Sequence, residues 1–353
     1  MTLQVGQPRE ILIVMLSALG DAVHVLPVVN ALKRHWPDSR ITWLIQPVPH
    51  MLVQGHENVD EFILFHRRRG TDALRSFSGA SKALAGRRFD LLINLQVYLK
   101  AGLLTSIARA DVKLGFDRKR ARDMNWLFTT HRIPPRPPGH VQDQYFEFIQ
   151  HLGINPEPVE WRLPLTDAER VAQREFLDGL DRPMCGVVVG TSKTAKNWAP
   201  ERYARLLEVL EADYGYRTVL LGGPSAAEKA AAAQILLDTR AQPVDALAND
   251  VRRLLWLLDG SSLVVSPDTG PLHAARALDR PVVGLYGYTN PKRYGPYRRP
   301  WQVVDGYAKF AGEDYGPAAG YRSDGMDRIT VEMVLEGVER VKRHEAGDVG
   351  RAT

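Results

Sequence analysis

Cysteine is almost missing from this chain. Cys185 stands alone among 353 residues, which excludes an internal disulfide framework and makes a reducing compartment the default. Long apolar runs are missing too: no window approaches the roughly 18 uninterrupted apolar residues of a membrane span. The apolar stretch near the N-terminus is too short and interrupted for a signal peptide and reads as the lead-in to a first strand, so a cytoplasmic location is expected. A large excess of one charge sign is missing as well. Forty-six Lys and Arg against 41 Asp and Glu leave +5, compatible with an anionic substrate or an anionic membrane face without demanding nucleic acid. The P-loop spacing, the D-x-D metal sequence and any His/Cys cluster at metal-ligand spacing are also lacking. After the first apolar run a dinucleotide site needs G-x-G-x-x-G, but Leu16-Ser17-Ala18-Leu19-Gly20-Asp21 offers only Gly20. An NAD-dependent oxidoreductase is thereby disfavoured.

What is present is an alternation of strand and helix patterns. At this length, two α/β domains of about 150 to 200 residues each are the natural expectation. Continuous apolar runs predict buried strands at 11–16, 41–45, 62–65, 91–95 and 112–115. Between them, Val25, Val28, Val29 and Leu32 at helical spacing predict a helix over 22–35, and others are expected near 73–84 and 101–108. A proline-rich stretch at 133–139 breaks the series, and an aromatic-rich helix is expected over 140–152. A linker follows at 153–165, and Thr166-Asp167-Ala168-Glu169 is a capping box opening the next helix. The second half repeats the alternation, with strands expected at 185–189, 218–221, 262–265 and 282–285 and a last helix over 330–343.

Several constellations at strand ends carry chemistry. In Ser266-Pro267-Asp268-Thr269-Gly270-Pro271-Leu272-His273, a buried strand feeds a tight D-T-G turn into a short helix. Backbone N–H groups of Thr269 and Gly270 at that helix start suit a phosphate, and His273 lies one turn on. Asp268 can equally hold its own turn, and His273 can be a satisfied structural residue. The loop Gly190-Thr191-Ser192-Lys193-Thr194-Ala195-Lys196 has small residues and two lysines suited to a phosphate, or is a solvated loop. Glu228, after the Gly222-Gly223-Pro224 turn, can accept ribose hydroxyls or be one more surface carboxylate. Asp21 is either a cleft-facing base or a helix cap. Arg67, Arg68, Arg69 and Arg75, with Arg118, Lys119, Arg120 and Arg122, form two basic segments in the first half, otherwise simply a solvated face.

The joint pattern resembles the lipopolysaccharide heptosyltransferases, the ADP-heptose-dependent enzymes of glycosyltransferase family nine, over nearly the whole chain. The resemblance is carried by the opening strand with Ser17-Ala18-Leu19-Gly20-Asp21, by Lys196-x-Trp198-x-Pro200, and by Gly222-Gly223-Pro224. Asp268-Thr269-Gly270-x-x-His273-x-Ala275, Gly287-x-Thr289-x-Pro291 and the stretch Phe89 to Gln96 complete it. It implies a GT-B architecture, two Rossmann-like α/β/α domains facing across a cleft. Residues 1–165 would form the acceptor-binding domain carrying the base, and 166–353 the nucleotide-sugar domain with a C-terminal helix. The implied reaction is inverting, metal-independent transfer of heptose from ADP-heptose to Kdo or heptose of the lipopolysaccharide inner core. ADP-heptose is then a substrate, and no cofactor or metal is expected.

By the same resemblance Asp21 is the base, and Thr191, Lys196, Glu228, Asp268, Thr269, Gly270 and His273 hold the donor. Ser17, Gly20, Arg67, Arg68, Arg69 and Arg120 face the acceptor, whose carboxylates and phosphates arginine can pair. Peripheral contact with the anionic inner membrane leaflet is expected and nucleic acid is not. Family members often carry Lys or Arg late in the first strand, where this chain has Met15, so acceptor identity stays open. The alternatives are a relative using another nucleotide sugar for a different surface glycan, and a non-catalytic nucleotide-sugar binding protein.

Overall fold

The computed structural model describes residues 2–67, 72–248 and 250–349. The chain divides into two compact units: Met1–Pro137 with Val141–Pro164, and Pro138–His140 with Leu165–Thr353. The first unit carries six strands, β1 (Glu10–Val14), β2 (Arg40–Ile45), β3 (Glu61–Leu64), β4 (Phe89–Asn94), β5 (Ala110–Gly115) and β6 (His131–Arg132). They form one parallel sheet in the order β3-β2-β1-β4-β5-β6. The register sets Ile11 between Ile41 and Leu91. Ile11, Leu12, Ile13 and Val14 are all fully buried, because helices cover both faces of a parallel sheet. That is why the run shows no alternation.

The second unit carries β7 (Met184–Val188), β8 (Arg217–Leu221), β9 (Val244–Asp245), β10 (Leu263–Pro267), β11 (Val282–Tyr286) and β12 (Val303–Asp305). Its sheet is parallel in the order β12-β11-β10-β7-β8-β9. Counted from each unit's own first strand, both sheets read 3-2-1-4-5-6. This order places a switch point between β1 and β4 and another between β7 and β10. There the connections leave in opposite directions and open a crevice at the carboxyl ends of the strands. One apolar cluster in each unit holds sheet to helices: Leu12, Val14, Leu92 and Leu104 in the first, Val187, Leu207, Val265 and Val338 in the second.

Local signals account for most of the elements. The Thr166 capping box forms, its hydroxyl accepting the Glu169 N–H at 3.2 Å while Glu169 accepts the Thr166 N–H at 2.8 Å. Helix Leu19–His35 starts three residues earlier than periodicity suggests and continues through Pro27. The first strand ends at Val14 rather than Leu16; Met15 and Leu16 stay buried. Two or three residues suffice for β6, β9 and β12, too few to show a period. The last helix, Val331–Val349, buries Val334, Val338 and Val341 at helical spacing.

Candidate functional site

In the second unit the switch point between β7 and β10 gathers a buried polar cluster around Asp268. This carboxylate lies one residue past β10 and is 6% exposed. Lys196 Nζ donates to its Oδ2 at 2.7 Å and to its backbone carbonyl at 3.1 Å. Thr289 Oγ1 donates to the same Oδ2 at 2.6 Å, and His273 Nε2 lies 3.3 Å from Oδ1. Burial pushes the Asp268 carboxyl upward, but the His273 hydrogen bond and the Lys196 charge outweigh it and hold it below the usual carboxylate range. Burial, and then the nearby Asp268 charge, drives the Tyr286 phenol well upward. The lysine has three N–H donors, of which Asp268 takes two. Thr269 occupies the N-cap position of helix Gly270–Ala277 without a side-chain cap bond, and the first N–H groups of the helix have no intrahelical partner.

The motifs around this cluster divide into chemical and structural members. Trp198 is core: its indole N–H donates to the Ile329 carbonyl at 2.8 Å, and its ring meets Tyr203 edge-on at 4.9 Å. Pro200 opens helix Pro200–Ala212, where a missing N–H costs nothing. Gly287 is required by close approach, since a Cβ there would lie 2.3 Å from the Gly325 carbonyl carbon. Lys196 and Thr289 are the motif residues whose side chains reach the Asp268 carboxylate. Nothing in the spacing of Gly287-x-Thr289-x-Pro291 places Thr289 beside Asp268, 21 positions away; that proximity is a tertiary fact.

Thr191 Oγ1 lies 2.8 Å from Asn197 Oδ1 and 2.6 Å from the Lys193 carbonyl, which pins the loop after β7. Glu228 accepts the Gly223 N–H at 2.8 Å and the Ser225 hydroxyl at 2.5 Å, while Ser225 caps the Glu228 N–H at 3.2 Å. Ser225 is thus the N-cap of helix Ala226–Asp238, with Glu228 turned back to the Gly223 N–H. The Glu228 stem lies over Gly190, where a Cβ would come within 2.3 Å of its Cγ. The carboxylate therefore borders the loop that carries Thr191 and is half-buried there.

In the first unit the switch point between β1 and β4 holds Ser17, Gly20 and Asp21. Asp21 Oδ2 accepts the Ala18 N–H at 2.8 Å and Oδ1 accepts the Tyr145 hydroxyl at 3.2 Å. Asp21 is thus the third residue of helix Leu19–His35, and its carboxylate bonds back to the N-cap residue Ala18. Gln96, past β4, donates its side-chain amide to the Ser17 carbonyl and ties the two strand ends together. Met15 is 1% exposed and its carbonyl accepts the Trp43 indole N–H at 3.0 Å, so the position that often carries a cation is core here.

The basic segments behave differently from one another. Arg120 is mostly buried, paired with Asp117 at 2.5 Å and Glu147 at 2.8 Å. Its guanidinium is engaged inside the unit, and this pairing joins its segment to helix Val141–His151. Arg67, Arg118, Lys119 and Arg122 are exposed, and Arg75, also exposed, pairs with Asp72 at 3.0 Å. Arg68 and Arg69 lie outside the described residues. Among the described residues no three His, Cys, Asp or Glu side chains cluster as metal ligands would.

Two parallel sheets of the same Rossmann order, each with polar residues gathered at its switch point, define a GT-B protein. The model of glycosyltransferase family 9 (heptosyltransferase) matches residues 79–309. The chain belongs to that family and is a glycosyltransferase. It is 29% identical over 310 residues to the lipopolysaccharide core heptosyltransferase OpsX of Haemophilus influenzae, covering 88% of each chain. Among solved structures it is similar to a family 9 glycosyltransferase of Veillonella parvula, with TM-score 0.79, 23% identity and coverage of 96% of this chain and 98% of that one. It is similar also to the E. coli heptosyltransferase WaaC with ADP, with TM-score 0.72, 22% identity and coverage of 94% and 99%.

Proposed function

We propose that this chain transfers heptose from ADP-heptose to a Kdo or heptose of the lipopolysaccharide inner core, with inversion and without a metal. The observation that carries the reading is the Lys196–Asp268–Thr289–His273 cluster at a switch point, in a family named for heptosyl transfer. The relatives with solved structures include WaaC with ADP and with ADP-2-deoxy-2-fluoro heptose. In the proposed step the acceptor hydroxyl attacks the anomeric carbon. A bond to that oxygen forms, the bond from the anomeric carbon to the diphosphate oxygen breaks, and the hydroxyl proton passes to Asp21. ADP leaves with the electron pair.

The departing diphosphate needs positive charge. Lys196 supplies its third N–H, and the first N–H groups of helix Gly270–Ala277 supply oriented donors. Asp268 keeps the ammonium in place and, being an anion, faces it rather than the diphosphate. Thr191 and Glu228 are assigned to the nucleoside side, and Ser17, Gly20, Arg67, Arg68, Arg69 and Arg120 to the acceptor. Arg120 acts there through its own pairing, as a residue that positions its segment. Residues Met1–Pro137 and Val141–Pro164 take the acceptor, and the second unit takes the donor. The site of action is read as the cytoplasmic face of the membrane; among the described residues no helix is long and apolar enough to cross it.

The test is transfer in vitro with ADP-heptose against Kdo-lipid A and against heptosylated acceptors, read by mass spectrometry. A product heavier by one heptose, formed without added metal and in the presence of chelator, is expected. Absence of product with every acceptor overturns the donor assignment, and loss of product on chelation overturns metal independence.

A further inference from the structure

Five large apolar side chains of the first unit stand in water: Tyr98 is 49% exposed, Leu99 39%, Leu103 36%, Met124 60% and Leu127 54%. They come from two short elements, helix Leu99–Ile107 with the residue before it, and the turn Asn125–Phe128 with the residue before it. These elements are locked side by side. Phe128 lies against the helix backbone, where a Cβ on Gly102 would come within 2.4 Å of its Cδ2. The Asn125 side chain donates to the Tyr98 carbonyl at 2.6 Å, and the Arg122 N–H to the Val97 carbonyl at 2.8 Å. Leu99 and Leu103 are four apart and share a helix face. The apolar tips therefore form one patch rather than scattered exposures, and a patch of this kind marks an interaction surface.

Cations rim it. Arg122 lies 5.8 Å from the Tyr98 ring, and exposed Arg118 stacks 4.2 Å over Trp126 beside Leu127. Lys100 points back over Phe65 at 5.8 Å, and exposed Arg67 follows Phe65 by two residues. Within 98–103 and 118–128 the acids number one, Asp123, against Lys100, Arg118, Lys119, Arg120 and Arg122. Asp117 and Glu147 already neutralise Arg120. A second copy seated on this patch would set like charges against each other. An anionic bilayer satisfies both halves, taking the apolar tips into its headgroup boundary and the cations into its surface potential.

We propose that this patch docks the chain on an anionic lipid bilayer. The surface begins two residues after Gln96, which is bonded to Ser17, so docking brings the β1/β4 switch point close to the lipid. The docking itself stands on this geometry. Its use, presenting a membrane-anchored acceptor, rests on the reading above.

The experiment is co-sedimentation of the full chain with vesicles of phosphatidylethanolamine and phosphatidylglycerol, at about a 3:1 ratio, and with pure phosphatidylcholine vesicles. Wild type is expected on the anionic vesicles, with binding that falls as salt rises. The triple variant Leu103→Ser, Met124→Ser, Leu127→Ser is expected to bind about tenfold more weakly. Its thermal unfolding and its transfer to a deacylated, water-soluble acceptor are expected to match wild type. Equal vesicle binding by wild type and variant, or none by wild type, overturns the proposal. So does a wild-type dimer that the variant dissolves, which would make the patch a contact between copies. Vesicle binding is read without catalysis, so absent transfer with intact binding counts against the heptosyl reading alone.

Discussion

Asp21 holds two positions at once, and a substitution can separate them. Its Oδ2 satisfies the Ala18 N–H at the start of helix Leu19–His35, while the same carboxylate is the proposed base. Alanine removes both and costs about 1 kcal/mol for the lost cap. Asn keeps an acceptor oxygen for Ala18 and loses the base. Asp21→Asn is therefore expected to lower kcat by about 10²- to 10⁴-fold with ADP affinity within a few-fold; full turnover in that variant removes Asp21 as base. Lys196→Ala acts differently, because the ammonium meets Asp268 before any ligand arrives. A hydrogen bond to a charged group is worth about 1.5–3 kcal/mol, so ADP affinity and turnover should each fall about 10- to 100-fold. Calorimetric titration with ADP checks this, and unchanged binding rejects the phosphate role.

Among the elements, those with long apolar runs were legible and the shortest were not. The strands around β1, β4, β7 and β10 announce themselves because burial on both faces leaves continuous Val, Ile and Leu. Helix Pro47–Val53 and the strands β6, β9 and β12 carry too few residues for any period to emerge. The motif Lys196-x-Trp198-x-Pro200 reads as one unit in the sequence, yet the fold splits it into a charge, a core anchor and a helix opener. Trp198 is 3% exposed, so Trp198→Ala should destabilise the protein by about 3–5 kcal/mol. Urea unfolding measures it, and a loss below about 1 kcal/mol would show that the indole is not a core anchor.

At the scale of the whole molecule, carboxylates that are ionised in the fold set the acid limit. Arg322, by hydrogen bond, and the Lys309 N–H hold Glu313 down at about 2 from its ordinary 4.5. Arg252 lowers Glu169, and Asp268 is depressed despite its burial. A folded-state pKa below the unfolded one adds stability that is complete above the unfolded value and lost as pH falls toward the folded one. The melting temperature should therefore be level near neutrality and drop steeply from about pH 4.5 to pH 2. A level profile through that range would contradict these pairings.

The residues alone were enough for two α/β halves and for the capping box at Thr166, and they offered Asp268 and His273, at a D-T-G turn feeding a helix, as candidates. Each depends on local physics: apolar runs, a capping box, a D-T-G turn feeding a helix. Packing had to supply the rest. That Thr289 meets Asp268, that Gln96 meets Ser17, that Arg120 is consumed by Asp117 and Glu147, and that Met15 is core are all long-range facts. No pattern along the chain encodes which side chains two distant strand ends bring within 3 Å of each other. That follows from the strand order 3-2-1-4-5-6, which sets the crevice beside β1 and β4 in one unit and beside β7 and β10 in the other.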